Sequence, residues 1–280
     1  MPVLTLDYRH CDRKRPRYIK HSEVEGIAAL VRQQLVDATT DALSVDLLSA
    51  VSGLKINGVV FDLFVSTGDI VHDEDGNPVL GICEYDPGVP DTAMVSVSPV
   101  GENAGEELVL STLAHELGHA IFDGPGWIVD ASRGPGLFDG IDDTGRKMYR
   151  TTTRDVEHLA KVHTAGDGTD QAGPGKSRGD EYFAELRANE FMGSLLVPRL
   201  RLNTVVEELA PEHDVKIVRS SSLDPNLPGT SLTLVTEGDF GFLSLDMLQR
   251  SVAKRFGVSP RFVQVRMDRY GLLKAGDLPS

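Results

Sequence analysis

Five consecutive residues, His115-Glu116-Leu117-Gly118-His119, constrain this chain more than any other feature in it. They spell HExxH, and they sit inside an apolar pattern at helical spacing formed by Leu108, Val109, Leu113, Leu117, Ala120 and Ile121. The pattern predicts a helix over residues 106–122, with Asn103 and Glu106 placed as a capping box and Asp123-Gly124-Pro125 as its stop. Residues four apart on a helix share a face, so both imidazoles point the same way. Such a pair can hold one zinc ion, and the Glu beside it can act as general base on a water molecule. A single histidine on an apolar helix is ordinary core. Two histidines and a glutamate in this order call for a metal.

Catalytic zinc takes three protein ligands, so a third is sought on a later helix. The segment from Asp180 to Pro198 reads as a helix capped by Asp180 and ended just before Pro198. Glu185 and Asn189 share a face of it, and Ala184, Ala188 and Gly193 are small enough to let it approach the first helix closely. Glu185 is the expected third ligand, and Asn189 is placed to hydrogen-bond and orient a ligating histidine. Glu181, one turn earlier on a similar face, is the rival ligand, whereas Glu190 faces away.

A helix reading HELGH, then E-x-x-A-N-x-F and L-L-x-P, resembles the ImmA/IrrE family of zinc metallopeptidases. Here those positions are His115 to His119, then Glu185, Ala188, Asn189, Phe191, Leu195, Leu196 and Pro198. The likeness extends thinly over residues 20–275, through Val252 to Ser259, Arg266 and Gly271-Leu272-Leu273. It implies an α+β, zincin-like fold with helices packed on a small mixed sheet. It also implies a gluzincin-like site, with His115, His119 and Glu185 on one zinc per chain and Glu116 as general base, and it favours Glu185 over Glu181. A sheet edge beside the metal would take an extended peptide by strand addition. The implied substrate is a specific intracellular regulatory protein, repressor- or antitoxin-like.

Around these motifs three regions are expected. Residues 1–21, with Arg9, Arg13, Lys14, Arg15, Arg17 and Lys20, read as a flexible basic arm. Residues 22–244 form the catalytic domain. Ser22 and Glu25 cap a helix carrying Val24, Ile27, Ala28, Val31 and Leu35, and a second helix spans 40–52 with Gly53 as its stop. Strands follow at 59–65, 79–85 and 93–97, with a turn at Asp75-Gly76-Asn77-Pro78. The stretch 123–179 reads as a long irregular insertion, with a helix near Arg154 to His163 and a Gly/Pro/Asp-rich tract at 167–175. Strands at 215–218 and 231–235 suggest a hairpin across the loop 224–229. Residues 245–280 form a helix pair packed on the catalytic domain. Leu245 to Phe256, the turn Gly257-Val258, the cap Ser259 and Pro260 give it helix-turn-helix grammar.

A net charge of −14 argues against nucleic-acid binding by the whole molecule. Residues 250–274 nonetheless carry Arg250, Lys254, Arg255, Arg261, Arg266, Arg269 and Lys274 against one acid, Asp268, which keeps a DNA-binding regulator as an alternative. Another alternative is a metal-bound sensor or binding module without turnover, and the intact Glu116 speaks against it. The two cysteines, Cys11 and Cys83, make no disulfide framework. With no apolar signal-peptide core and no apolar run of membrane length, a soluble cytoplasmic protein is expected. A side-chain donor to the oxyanion is expected from Tyr149, His158, His163, Tyr182 or His213.

Overall fold

A computed structural model of the chain describes residues 2–16, 19–101, 105–132, 147–152, 178–221, 230–236 and 241–273. It divides into two compact units, Met1–Leu196 and Val197–Ser280. The boundary therefore falls at 196/197 and not at 244/245, because a helix and a hairpin group with the C-terminal helix pair.

The first unit is α+β. Among the described residues, six strands make one mixed sheet: β1 (Val3–Leu6), β2 (Gly53–Ile56), β3 (Val59–Ser66), β6 (Gly81–Tyr85), β7 (Thr92–Val97) and β8 (Lys147–Thr151). Their spatial order is β1-β2-β3-β7-β6-β8, with β1/β2 and β3/β7 parallel and the other pairs antiparallel. Two short strands, β4 (Val71–His72) and β5 (Pro78–Val79), pair on either side of the expected turn at 75–78. Alternation sets the core face. Leu4 and Leu6 of β1, Phe61 and Leu63 of β3, and Ala93, Val95 and Val97 of β7 are buried, while Val60 and Phe64 point outward.

Two sequence expectations give way here. Residues 1–21 are not simply an arm. Val3-Leu4-Thr5-Leu6 alternates, pairs in register with Gly53–Ile56, and buries two leucines. The helix expected over 40–52 shrinks to α2 (Val45–Ser49), capped by Ser44, whose hydroxyl oxygen accepts from Leu47 N at 3.2 Å. Gly53 then opens β2 and does not act as a helix stop. The β2–β3 hairpin turns on Asn57 (φ 53°) and Gly58 (φ 81°), the two left-handed positions that a tight two-residue hairpin demands.

The helices follow the periodicity more closely. α1 (His21–Leu35) starts one residue before Ser22, and Glu23 accepts from the Lys20 backbone N–H at 2.8 Å in place of the expected Ser22/Glu25 box. α3 (Glu106–Phe122) has Gly105 at its cap, and Asn103 lies outside the described residues. Asp123 ends α3, but Gly124-Pro125 begins α4 (Gly124–Ser132) and does not break into a loop. The helix carrying Glu185, α5 (Arg178–Leu196), starts two residues before Asp180, so Asp180 lies in its first turn and not at its cap. The stretch 123–179 thus contributes α4 and β8. The expected helix 154–163 and tract 167–175 lie outside the described residues.

α3 lies on the sheet over β6 and β7, α5 lies against α3, and α1 against α5. Every residue from Thr112 to Phe122 is buried, as an all-round apolar helix must be. A Cβ on Gly118 would come 3.1 Å from Ala188 Cα, so glycine on one helix and alanine on the other set the close approach. Tyr8 Oη lies 2.9 Å from the Ile121 carbonyl and 3.2 Å from that of Phe122, sharing its one hydrogen between the last carbonyls of α3. Arg32 does the same for α5, donating to Leu195 O at 2.7 Å.

The second unit comprises α6 (Arg199–Leu209), a 3-10 turn (Ala210–His213), the antiparallel hairpin β9 (Lys216–Ser221) and β10 (Thr230–Val235), and helices α7 (Gly241–Phe256) and α8 (Pro260–Arg269). The hairpin was expected, while its loop 224–229 lies outside the described residues. Ser259 caps α8 through Phe262 N at 3.2 Å, with Pro260 at the first position, as the sequence predicts.

Candidate metal centre

His115 and His119 leave α3 on one face, and Glu185 reaches them from α5. The two Nε2 atoms lie 3.1 Å apart. Glu185 Oε2 is 3.3 Å from His115 Nε2, and its Oε1 is 3.3 Å from His119 Nε2. This triangle tests the fit of a metal. Ligands bound tetrahedrally at about 2.0–2.1 Å stand roughly 3.3–3.4 Å from one another. The three donors already sit near that spacing, so the buried His-His-Glu group can hold a metal ion. Among the described residues no other such group occurs. Both imidazoles are buried, whereas the Glu185 side chain is 34 % exposed, so the group meets solvent on the α5 side.

The orientation of His119 comes from a residue that the sequence reading takes only as a helix stop. Asp123 Oδ2 lies 3.4 Å from His119 Nδ1, and Asp123 Oδ1 accepts from Arg187 at 3.0 Å. A carboxylate on Nδ1 keeps the hydrogen there and turns the Nε2 lone pair toward the metal position. Asp123 is four residues after His119, on its face, and that spacing is the signal that finds it. Asn189, expected in this role, is buried on α5, but no hydrogen bond joins it to either imidazole. Its Oδ1 and His115 Nδ1 are both buried without a partner among the described residues.

Glu116 is fully buried beside the pair. Its Oε1 accepts from the Thr151 hydroxyl on β8 at 2.6 Å, and its Oε2 has no hydrogen-bond partner among the described residues. Burial raises its carboxyl above the ordinary range, against the pull of His115, His119 and the Thr151 bond. Burial acts on Glu185 in the same direction, but the two imidazoles overcome it and hold that carboxyl well below the ordinary range.

Of the expected oxyanion donors among the described residues, Tyr149 is the one whose ring meets an imidazole of the His-His-Glu group. It stacks on His119 with centroids 4.1 Å apart and planes 10° off parallel, and its centroid lies 5.6 Å from that of Trp127. Tyr182 is 54 % exposed and makes its ring contact with Phe183. His213 belongs to the second unit, where it bonds Ser251 at 2.8 Å. His158 and His163 lie outside the described residues. Glu181 is exposed and outside the ligand group. Glu190 faces away as expected, buried against His21 at 3.3 Å.

For His119, burial disfavours the imidazolium, but Asp123 and Glu185 outweigh it and raise the pKa to about 10. A protonated ring cannot ligate, so near pH 7 a bound ion must displace that proton. We expect about one proton released per ion and an affinity that climbs roughly tenfold per pH unit, levelling off near pH 10. Without metal the sign is opposite. The raised pKa stabilises the fold fully below the ordinary imidazole range, and that contribution fades as pH rises toward about 10. Calorimetric zinc titrations in buffers of different ionisation enthalpy read the proton directly. Uptake at pH 7 with no proton release would contradict the assignment.

Comparison of the chain with protein-family models, curated proteins and solved structures found no match.

Proposed function

We propose that this chain is a zinc-dependent endopeptidase of ImmA/IrrE type, with a zincin-like catalytic unit, that cleaves a specific intracellular regulatory protein. The observation that carries the reading is the triangle of His115, His119 and Glu185 with the buried carboxylate of Glu116 beside it. Zinc held there supplies a Lewis acid that polarises a scissile carbonyl and makes water acidic near neutral pH. Glu116 takes the proton of the attacking water and returns it to the leaving nitrogen. Asp123 and Arg187 fix His119 in its ligating tautomer. Tyr149, whose hydroxyl burial holds protonated far above neutral pH, remains a donor for the developing oxyanion.

The DNA-binding alternative loses support from the second unit. Arg250 pairs with Asp246 at 2.7 Å, Arg255 with Glu208 at 3.8 Å, and Arg266 is buried over the Tyr270 ring. These three guanidiniums each have a partner within their own unit. Among the described residues no helix is long and apolar enough to cross a membrane.

The test is cleavage of a cell proteome by the purified, zinc-loaded chain, read as new protein N-termini. A small set that vanishes with chelator and with Glu116→Gln supports the reading. Identical cleavage by native and variant chains overturns it.

A further inference from the structure

The two oxygens of Glu116 are not equivalent, and the sheet makes them so. Thr151 ends β8, an edge strand, opposite Gly81 in β6. Its hydroxyl is buried and donates to Oε1, while Oε2 is buried without a partner among the described residues. Gly81 leaves room for the Glu116 carboxylate at this place. A Cβ there would fall 2.6 Å from Thr112 Cγ2 and 3.0 Å from Glu116 Oε1, so any larger residue would force the Thr112 and Glu116 side chains to shift. Glycine and threonine, cross-strand neighbours, together make the seat for one carboxylate oxygen.

We propose that Thr151 is the positioning residue of the general base: by occupying Oε1 it directs proton transfer to Oε2. This rests on the reading of Glu116 as general base. The proton leaves the attacking water for Oε2 and passes from there to the leaving nitrogen, so one amide and one water become one carboxylic acid and one amine. A hydroxyl that donates to Oε1 stops the carboxylate from rotating between turnovers and keeps the same oxygen in use.

The experiment uses the zinc-loaded full chain, isotope-labelled at the glutamate carboxyl carbon, with the Glu116 signal assigned by its absence in Glu116→Gln. Thr151→Val keeps the shape of the side chain and removes the hydroxyl, and Thr151→Ala is the second variant should valine misfold. Both are expected to move the Glu116 signal. On a peptide spanning a cleavage site from the proteome experiment, both should lower kcat by about ten- to a hundredfold, as for loss of a hydrogen bond to a charged group. KM stays within about twofold, because Thr151 is buried. Metal content is unchanged, and Thr151→Ser restores both signal and kcat. Unchanged signal and kcat in the hydroxyl-free variants, or no rescue by serine, overturns the Thr151 assignment alone. A Glu116→Gln chain that cleaves like the native one overturns the peptidase reading instead.

Discussion

Replacing Glu116 by Gln is expected to reduce peptide hydrolysis by about a thousandfold, within the range of roughly 10²–10⁴ contributed by a positioned general base. The substitution is close to isosteric. The amide oxygen can still accept from Thr151, so the packing of α3 against β6 and β8 survives. What disappears is an oxygen able to take a proton. Metal content stays the same, since Glu116 is outside the ligand group. That pairing of full metal with lost turnover separates a catalytic glutamate from a structural one. Rates on any peptide cut by the native chain, with zinc measured on the same samples, decide it.

Gly118→Val is expected to damage stability and metal binding together. A single added Cβ already meets Ala188 Cα at 3.1 Å and Phe191 Cδ1 at 3.2 Å, and valine adds two methyl groups at that contact. The obstacle is helix backbone, which cannot swing aside as a side chain does. Overpacking of this kind costs about 3 kcal/mol, or roughly 10 °C in Tm for a unit of this size. Ala188 is one turn from Glu185, so parting α5 from α3 also carries the third ligand away from the imidazoles. Zinc affinity should fall at least about tenfold, as when other supports of a metal ligand are disturbed. Calorimetry and zinc titration of the variant check both effects, and unchanged values would mean that this close approach is not what presents Glu185.

The site was legible in the sequence where it is helical. The period of α3 and the four-residue spacings of His115/His119 and Glu185/Asn189 place side chains on faces without any knowledge of the rest. The strand contribution was hidden. Lys147-Met148-Tyr149-Arg150-Thr151 is an edge strand with polar residues on both faces, so it lacks the alternation that marks a half-buried strand. Thr151 therefore carries no signal in the sequence, and Tyr149 is one candidate among several. Asp123 was obscured differently, because one residue both ends a helix and orients a ligand. β2 has a sequence signal that a competing one overrides. Asn57-Gly58 is a strong hairpin signal, yet Gly53 also fits the end of a helix over 40–52. β1 was masked by the basic residues that follow it, although Val3-Leu4-Thr5-Leu6 alternates.

The most direct test of the account is elemental analysis of the purified native chain beside Glu185→Ala. The arrangement of His115, His119 and Glu185 predicts about one zinc per native chain and its loss in the variant. A native chain that holds no metal, even after zinc is offered at neutral pH, would contradict it.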